Sequence, residues 1–100
     1  MVDYHIAKEI AIKHIYTEFL DSNSEIVIIE DTVIEKEWGW IFIYQDKRWV
    51  NDRVISYIIP GIPTIVVEKK DGKVYYLDEV KTMEDCINKY IKRRKINLDL

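Results

Sequence analysis

Apolar residues recur along this chain with two different periods, and each change of period marks a new element. Between residues 4 and 20, Ile6, Ala7, Ile10, Ala11, Ile15 and Phe19 return at three- and four-residue steps. That spacing predicts a helix, with Asp3 placed to cap its start. Ile12, Tyr16 and Leu20 fall on the other side of the wheel, so the helix is expected to touch protein on more than one side or to offer a partner surface. Asp21-Ser22-Asn23-Ser24 ends it with turn-prone polar residues. From Glu25 to Lys36 the chain is β-branched with a period of two, which predicts a first strand. Its alternation puts Ile26, Ile28 and Ile34 on one face and Val27, Ile29 and Val33 on the other. A tight turn around Glu35-Lys36-Glu37 is expected to lead into a second strand. There Trp38, Trp40, Phe42 and Tyr44 form one stripe, and Gly39, Ile41, Ile43 and Gln45 the other. Both stripes are apolar, so this strand belongs in the middle of a sheet under at least one helix layer. Gly39 between two indoles marks a bulge or a close approach of another group.

Residues 46 to 62 are irregular but too apolar for a solvated loop. Val50, Val54, Ile55 and Ile58 have helical spacing and predict a short helix around 51 to 57. Pro60-Gly61-Ile62-Pro63 then forbids regular structure. Thr64 to Lys70 and Lys73 to Leu77 flank Asp71-Gly72, the pair that a two-residue type I′ hairpin prefers. That turn sets Lys70 opposite Lys73, Val67 opposite Tyr76 and Val66 opposite Leu77. The last element begins at Thr82, whose hydroxyl, with Asp85 three residues on, resembles a capping box. Met83, Ile87, Tyr90 and Ile91 give this helix a narrow apolar stripe bordered by Cys86. Glu84 and Asp85 at its start and Lys92, Arg93, Arg94 and Lys95 at its end suit the helix dipole, which accounts for the basic run without a nucleic-acid arm. Residues 96 to 100 read as a frayed or docked tail. The order of helix, four strands and helix predicts an α+β fold: one domain over residues 1–100, with helices covering a four-stranded antiparallel sheet.

Composition narrows the function classes. A 100-residue chain with 48% hydrophobic and 33% charged residues is expected to fold without a cofactor. The net charge of −3 argues against general nucleic-acid binding, which needs a basic face. One cysteine, Cys86, excludes an internal disulfide and fits a reducing compartment. No apolar window has the length of a membrane span and the start has no basic-then-apolar pattern, so the expected location is the cytoplasm, with no membrane partner. A catalytic set is equally hard to assemble. The only histidines, His5 and His14, sit nine positions apart on the first helix, on nearly opposite sides. No Cys/His pair has zinc spacing, and no Gly-rich loop precedes a helix to hold phosphate. The expectation is a protein that is not an enzyme and carries no metal or other cofactor.

The run Trp38-Gly39-Trp40-Ile41-Phe42-Ile43-Tyr44, followed after a gap by Pro63-Thr64-Ile65-Val66-Val67-Glu68-Lys69-Lys70-Asp71-Gly72-Lys73-Val74, resembles the immunity protein 35 (YrhB-like) domain family. That family has a leading helix, a Trp-containing strand, a variable loop reaching a Gly-x-Pro step, a hydrophobic strand with an Asp-Gly hairpin, and a closing helix with a Tyr. Gly61-Ile62-Pro63 and Tyr90 match the Gly-x-Pro step and the closing Tyr. The chain departs from the family in Gln45-Asp46-Lys47-Arg48-Trp49, where a small polar residue usually follows the strand. The resemblance implies a bacterial immunity protein of a polymorphic toxin system, which neutralises a cognate protein toxin by binding it. Trp38, Tyr44, Trp49, Arg53 and Tyr57 are then the expected anchors, because aromatic and Arg side chains dominate binding energy. Glu30, Asp31, Glu35 and Glu37 form an acidic group that is either a solvated rim or a set of steering charges for a basic partner. The alternative is a chaperone-like or homo-oligomeric module, including a homo-dimer, that uses the same apolar loop and the two-sided first helix. A weaker option is a small-molecule sensor with a pocket under residues 47 to 62.

Overall fold

Residues Gly39–Asp46 form the strand on which the other elements are laid, here called β3. The computed structural model describes residues 1–20, 25–59, 63–78 and 81–96. The Asp21 to Ser24 turn, most of the Pro60 to Pro63 step and the tail beyond Ile96 lie outside the described residues. Around β3 the chain runs α1 (Tyr4–Glu18), β1 (Ile26–Ile28), β2 (Ile34–Lys36), β3, α2 (Lys47–Asp52), β4 (Thr64–Glu68), β5 (Val74–Tyr76) and α3 (Met83–Arg94). The protein is α+β: an N-terminal helix, an antiparallel sheet and a C-terminal helix. The sheet is four strands wide. β4 flanks one side of β3 and carries β5 beyond it, while β1 and β2 share the other side, end to end.

The two apolar stripes of β3 are covered by different helices. Trp40, Phe42 and Tyr44, with Ile65 and Val67 of β4, pack against Ala7, Ala11 and Ile15 of α1. The two alanines let the helix backbone come close to the aromatic rings. On the opposite face Ile41, Val66 and Leu77 pack against Cys86, Ile87 and Tyr90 of α3. The sheet is thus the middle of three layers, which is why a strand without a polar face is stable there. Both helices start as expected: Asp3 accepts from the Ile6 amide at 2.9 Å and Thr82 accepts from the Asp85 amide at 3.1 Å.

Four expectations are corrected. The stretch from Glu25 to Lys36 is not one strand, because Glu30–Thr32 form a 3-10 turn within it. The Thr32 hydroxyl donates to the Ile29 carbonyl at 2.6 Å, a local bond that competes with the sheet ladder. Pairing moves from Ile28 opposite Tyr44 to Ile34 opposite Ile41, six residues on one strand against three on the other. The odd surplus flips the alternation, so Ile26, Ile28 and Val33 pack on the α1 side and Ile34 on the α3 side. Next, the turn into β3 falls one residue later, at Glu37-Trp38, with Lys36 paired to Gly39. Trp38 therefore leaves the stripe of Trp40 and stacks on Tyr90 across the other face, ring centroids 5.2 Å apart.

The third correction concerns the hairpin. Val67 pairs with Val74 and Ile65 with Tyr76, and only Gly72 has positive φ, so the turn is a four-residue loop over Lys69–Gly72 and not type I′. Lys69 is drawn out of the ladder: its amide donates to the Trp38 carbonyl at 2.9 Å and its carbonyl accepts from Val2 at 2.8 Å. The slip is two residues, so every side chain keeps its expected face. Lastly, the basic run ending α3 is more than a response to the dipole. Arg94 forks onto the buried Glu68 carboxylate at 2.9 and 3.0 Å, and Arg93 bonds the Tyr76 carbonyl at 2.6 Å and Asp78 at 3.0 Å.

Gly39 is required by close approach. A Cβ there would lie 2.6 Å from the Val67 carbonyl oxygen of β4, which is backbone and cannot swing away. Gly39→Ala is expected to destabilise the protein by about 1–3 kcal/mol. Urea unfolding checks this as a lowered midpoint at unchanged slope.

Candidate functional site

β3 ends in two polar residues that are nevertheless buried, Gln45 and Asp46, and together they shape everything up to Ile59. The Asp46 carboxylate caps α2, accepting from the Arg48 amide at 2.8 Å, and the Arg48 guanidinium grips it at 3.0 and 2.8 Å. It also accepts from the Glu25 amide at 3.3 Å, which ties the start of β1 to the same point. The bond from Arg48 is the main reason the Asp46 carboxyl is held down to about 2, and it outweighs the burial that works the other way. Gln45 acts as a side-chain substitute for one more strand. Its amide donates to the Ile59 carbonyl at 3.0 Å and accepts from the Ile59 amide at 2.6 Å.

These two anchors hold an apolar turn outside the core. α2 stops at Arg53, whose left-handed φ of 56° closes the helix, and Ile55–Tyr57 form a 3-10 turn. The expected helix over 51 to 57 is therefore split. Its true start follows directly on β3, and the signal that could have found it is Asp46 as a cap before Lys47. The Arg48 guanidinium lies 3.5 Å from the centre of the Tyr57 ring, and that of Arg53 lies 5.3 Å from Trp49. Val54, Ile55, Tyr57 and Ile58 are all exposed, Ile55 to 74%. None of these four side chains belongs to either apolar cluster of the core.

The expected anchors do not form one patch. Trp49, Arg53 and Tyr57 come together around this turn. Tyr44 is not with them: it is 6% exposed, set against Phe19 of the α1 segment, and burial pushes its hydroxyl up to about 12. Trp38 sits at the other end of β3, half-buried on Tyr90. The acidic residues spread along the β1–β2 side. Glu30 is engaged by Lys8 and the Tyr4 hydroxyl, which hold it below the usual carboxylate range. Glu35 pairs with Lys69 at 2.8 Å, while Asp31 and Glu37 face solvent.

Sequence reasoning missed the network at Glu68. This carboxylate is 3% exposed on β4, and Tyr90 and Arg94 of α3 both donate to it. Burial pushes Glu68 up, but the Arg94 fork and the Tyr90 hydroxyl outweigh it and hold the carboxyl below its ordinary range. The network locks helix to sheet. Cys86 is buried on the α3 face of the sheet, and His14 on α1 contacts the Tyr76 hydroxyl at 2.6 Å across the opposite face, so the two do not meet. Among the described residues no group of three His, Cys, Asp or Glu could hold a metal, and no helix is long and apolar enough to cross a membrane. No family model, curated protein or solved structure matches the chain.

Gln45→Leu removes both bonds to Ile59 while keeping the side chain's bulk. Trypsin cleavage at Arg53 is expected to accelerate several-fold, with the global thermal midpoint lowered only modestly. The Asp46 carboxyl is a stronger acid folded than unfolded, so its contribution is complete above its ordinary value of 3.8 and fades as pH falls towards about 2. Acid titration of stability should therefore show a loss over that window which Asp46→Asn, already less stable at neutral pH, lacks.

Proposed function

We propose that this protein is a cytoplasmic immunity protein that neutralises a cognate protein toxin by stoichiometric binding, without catalysis or a cofactor. The observation that carries the reading is the exposed turn of Val54, Ile55, Tyr57 and Ile58, fixed in place by Gln45 and Asp46. A surface ordered before contact loses little conformational entropy on binding, so its apolar area is available for affinity. Trp49, Arg53 and Tyr57 border it and are residue types that dominate interfaces. The resemblance of the Trp38–Tyr44 strand and its following hairpin to the immunity protein 35 domain adds the biological setting, a bacterial toxin system.

Co-expression with the toxin candidate encoded by the neighbouring gene tests this directly: growth is expected to be restored, and continued cell death with the protein abundant would overturn the reading. Ile55→Asp and Tyr57→Ala, both at exposed positions, should leave folding intact and weaken toxin binding at least about ten-fold. A second reading, a chaperone-like or homo-oligomeric module, draws on the exposed α1 residues Ile12 and Tyr16 and neighbouring Leu20. Suppression of aggregation of several unrelated clients at stoichiometric amounts would favour it.

A further inference from the structure

The two outer edges of the sheet are treated differently. At β5 the outward carbonyl of Tyr76 is taken by Arg93, and α3 lies beside it. At β1, among the described residues, no side chain bonds the outward backbone groups. The bonds from Ile29 to the Ile43 carbonyl at 2.9 Å and from Lys47 to the Glu25 carbonyl at 2.6 Å show that the odd-numbered residues bond inward to β3. In an antiparallel ladder the residues between them turn outward, so Ile26 and Ile28 each present an N–H and a C=O to the open edge.

Beside this edge α1 overhangs the sheet. Its residues Ile12, Ile15 and Tyr16, with Phe19 and Leu20 just beyond it, form with Ile26 and Ile28 a groove of about 580 Å3. Tyr16 is 69% and Leu20 60% exposed. An open strand edge next to an apolar groove is the arrangement used for strand addition: backbone bonds supply affinity, and alternate side chains enter the groove.

We propose that β1 and this groove bind an extended peptide segment of a partner protein, apolar at alternate positions and flanked by Lys or Arg. The charge around the edge selects this occupant. Glu25 precedes the strand and Glu30 and Asp31 follow it, all exposed; Lys8 of the groove wall pairs with Glu30, which leaves one carboxylate at each end, Glu25 and Asp31, to meet an incoming charge. A second copy paired antiparallel across β1 would bring one copy's Glu25 towards the other's Glu30 and Asp31, whereas a basic-flanked segment meets each end with opposite charge. The site is separate from the Val54–Ile58 turn, and the inference holds whether or not the partner is a toxin.

The test uses the whole protein and three synthetic peptides. One alternates valine and threonine between paired lysines, one replaces the lysines by glutamates, and one carries N-methyl groups on alternate residues. In amide NMR the lysine peptide is expected to shift the Ile26 and Ile28 signals and slow their exchange with solvent. The other two should bind at least about ten-fold more weakly, and added salt should weaken the first. Tyr16→Glu, at an exposed position, should abolish binding of the lysine peptide, while Tyr57→Ala leaves it unchanged. Equal binding of the glutamate peptide, shifts confined to other surfaces, or a concentration-dependent dimer through the β1 edge would overturn the proposal.

Discussion

Everything in this fold depends on one constraint: β3 has no side that can face water. Both of its edges are hydrogen-bonded, to β1 and β2 on one side and β4 on the other, and both of its faces are apolar. Such a strand costs free energy unless a layer covers each face, and α1 and α3 are those layers. The positions of the remaining elements follow. Two helices at opposite ends of the chain must pack on opposite faces, and the short strands between them need only extend the sheet far enough to seat each helix.

Buried polar groups then attach the periphery to that centre. Gln45 and Asp46 close one end of β3, and Glu68 ends β4 at the other end of the sheet. Each reaches a partner on a different element: Ile59, Arg48 with the start of β1, and Tyr90 with Arg94. Among the described residues no buried side-chain nitrogen or oxygen lacks a hydrogen bond. Burying such groups is costly unless they are satisfied, so their pairing fixes geometry in a way that apolar packing alone does not. The apolar turn at Val54–Ile58 keeps its place outside the core for this reason.

Much of this was legible from period alone. The helix over Tyr4–Glu18, the two-faced central strand, the close approach at Gly39 and the Thr82 cap are local features, and local spacing reports them. What period could not report was register. The 3-10 turn at Glu30–Thr32 arises from a Thr32 side-chain bond that flips the alternation, and the hairpin slips because Lys69 is claimed by Trp38 and Val2. Tyr44 is an expected anchor at the end of an apolar stripe, but it is buried with Phe19, beyond α1, against its ring. The Arg94–Glu68 pair spans 26 positions in sequence, beyond the reach of any pattern within a helix.

The placement of the candidate anchors also limits how one partner could use them. β3 is eight residues long, about 26 Å at the usual rise for an extended chain, and Trp38 and the Trp49–Tyr57 turn lie beyond its opposite ends. An interface of standard size covers about 800 Å2 on each side, a disc about 30 Å across, so one centred on the turn ends about 15 Å out and does not reach Trp38. Trp38 is also occupied by its stacking on Tyr90, and its neighbour Glu37 is a solvated charge. On the proposed reading, the end of the sheet at α2 is therefore the better anchor for a compact partner. The β1 edge, running from that end along the side of the sheet, is within reach of any extended segment the same partner carries.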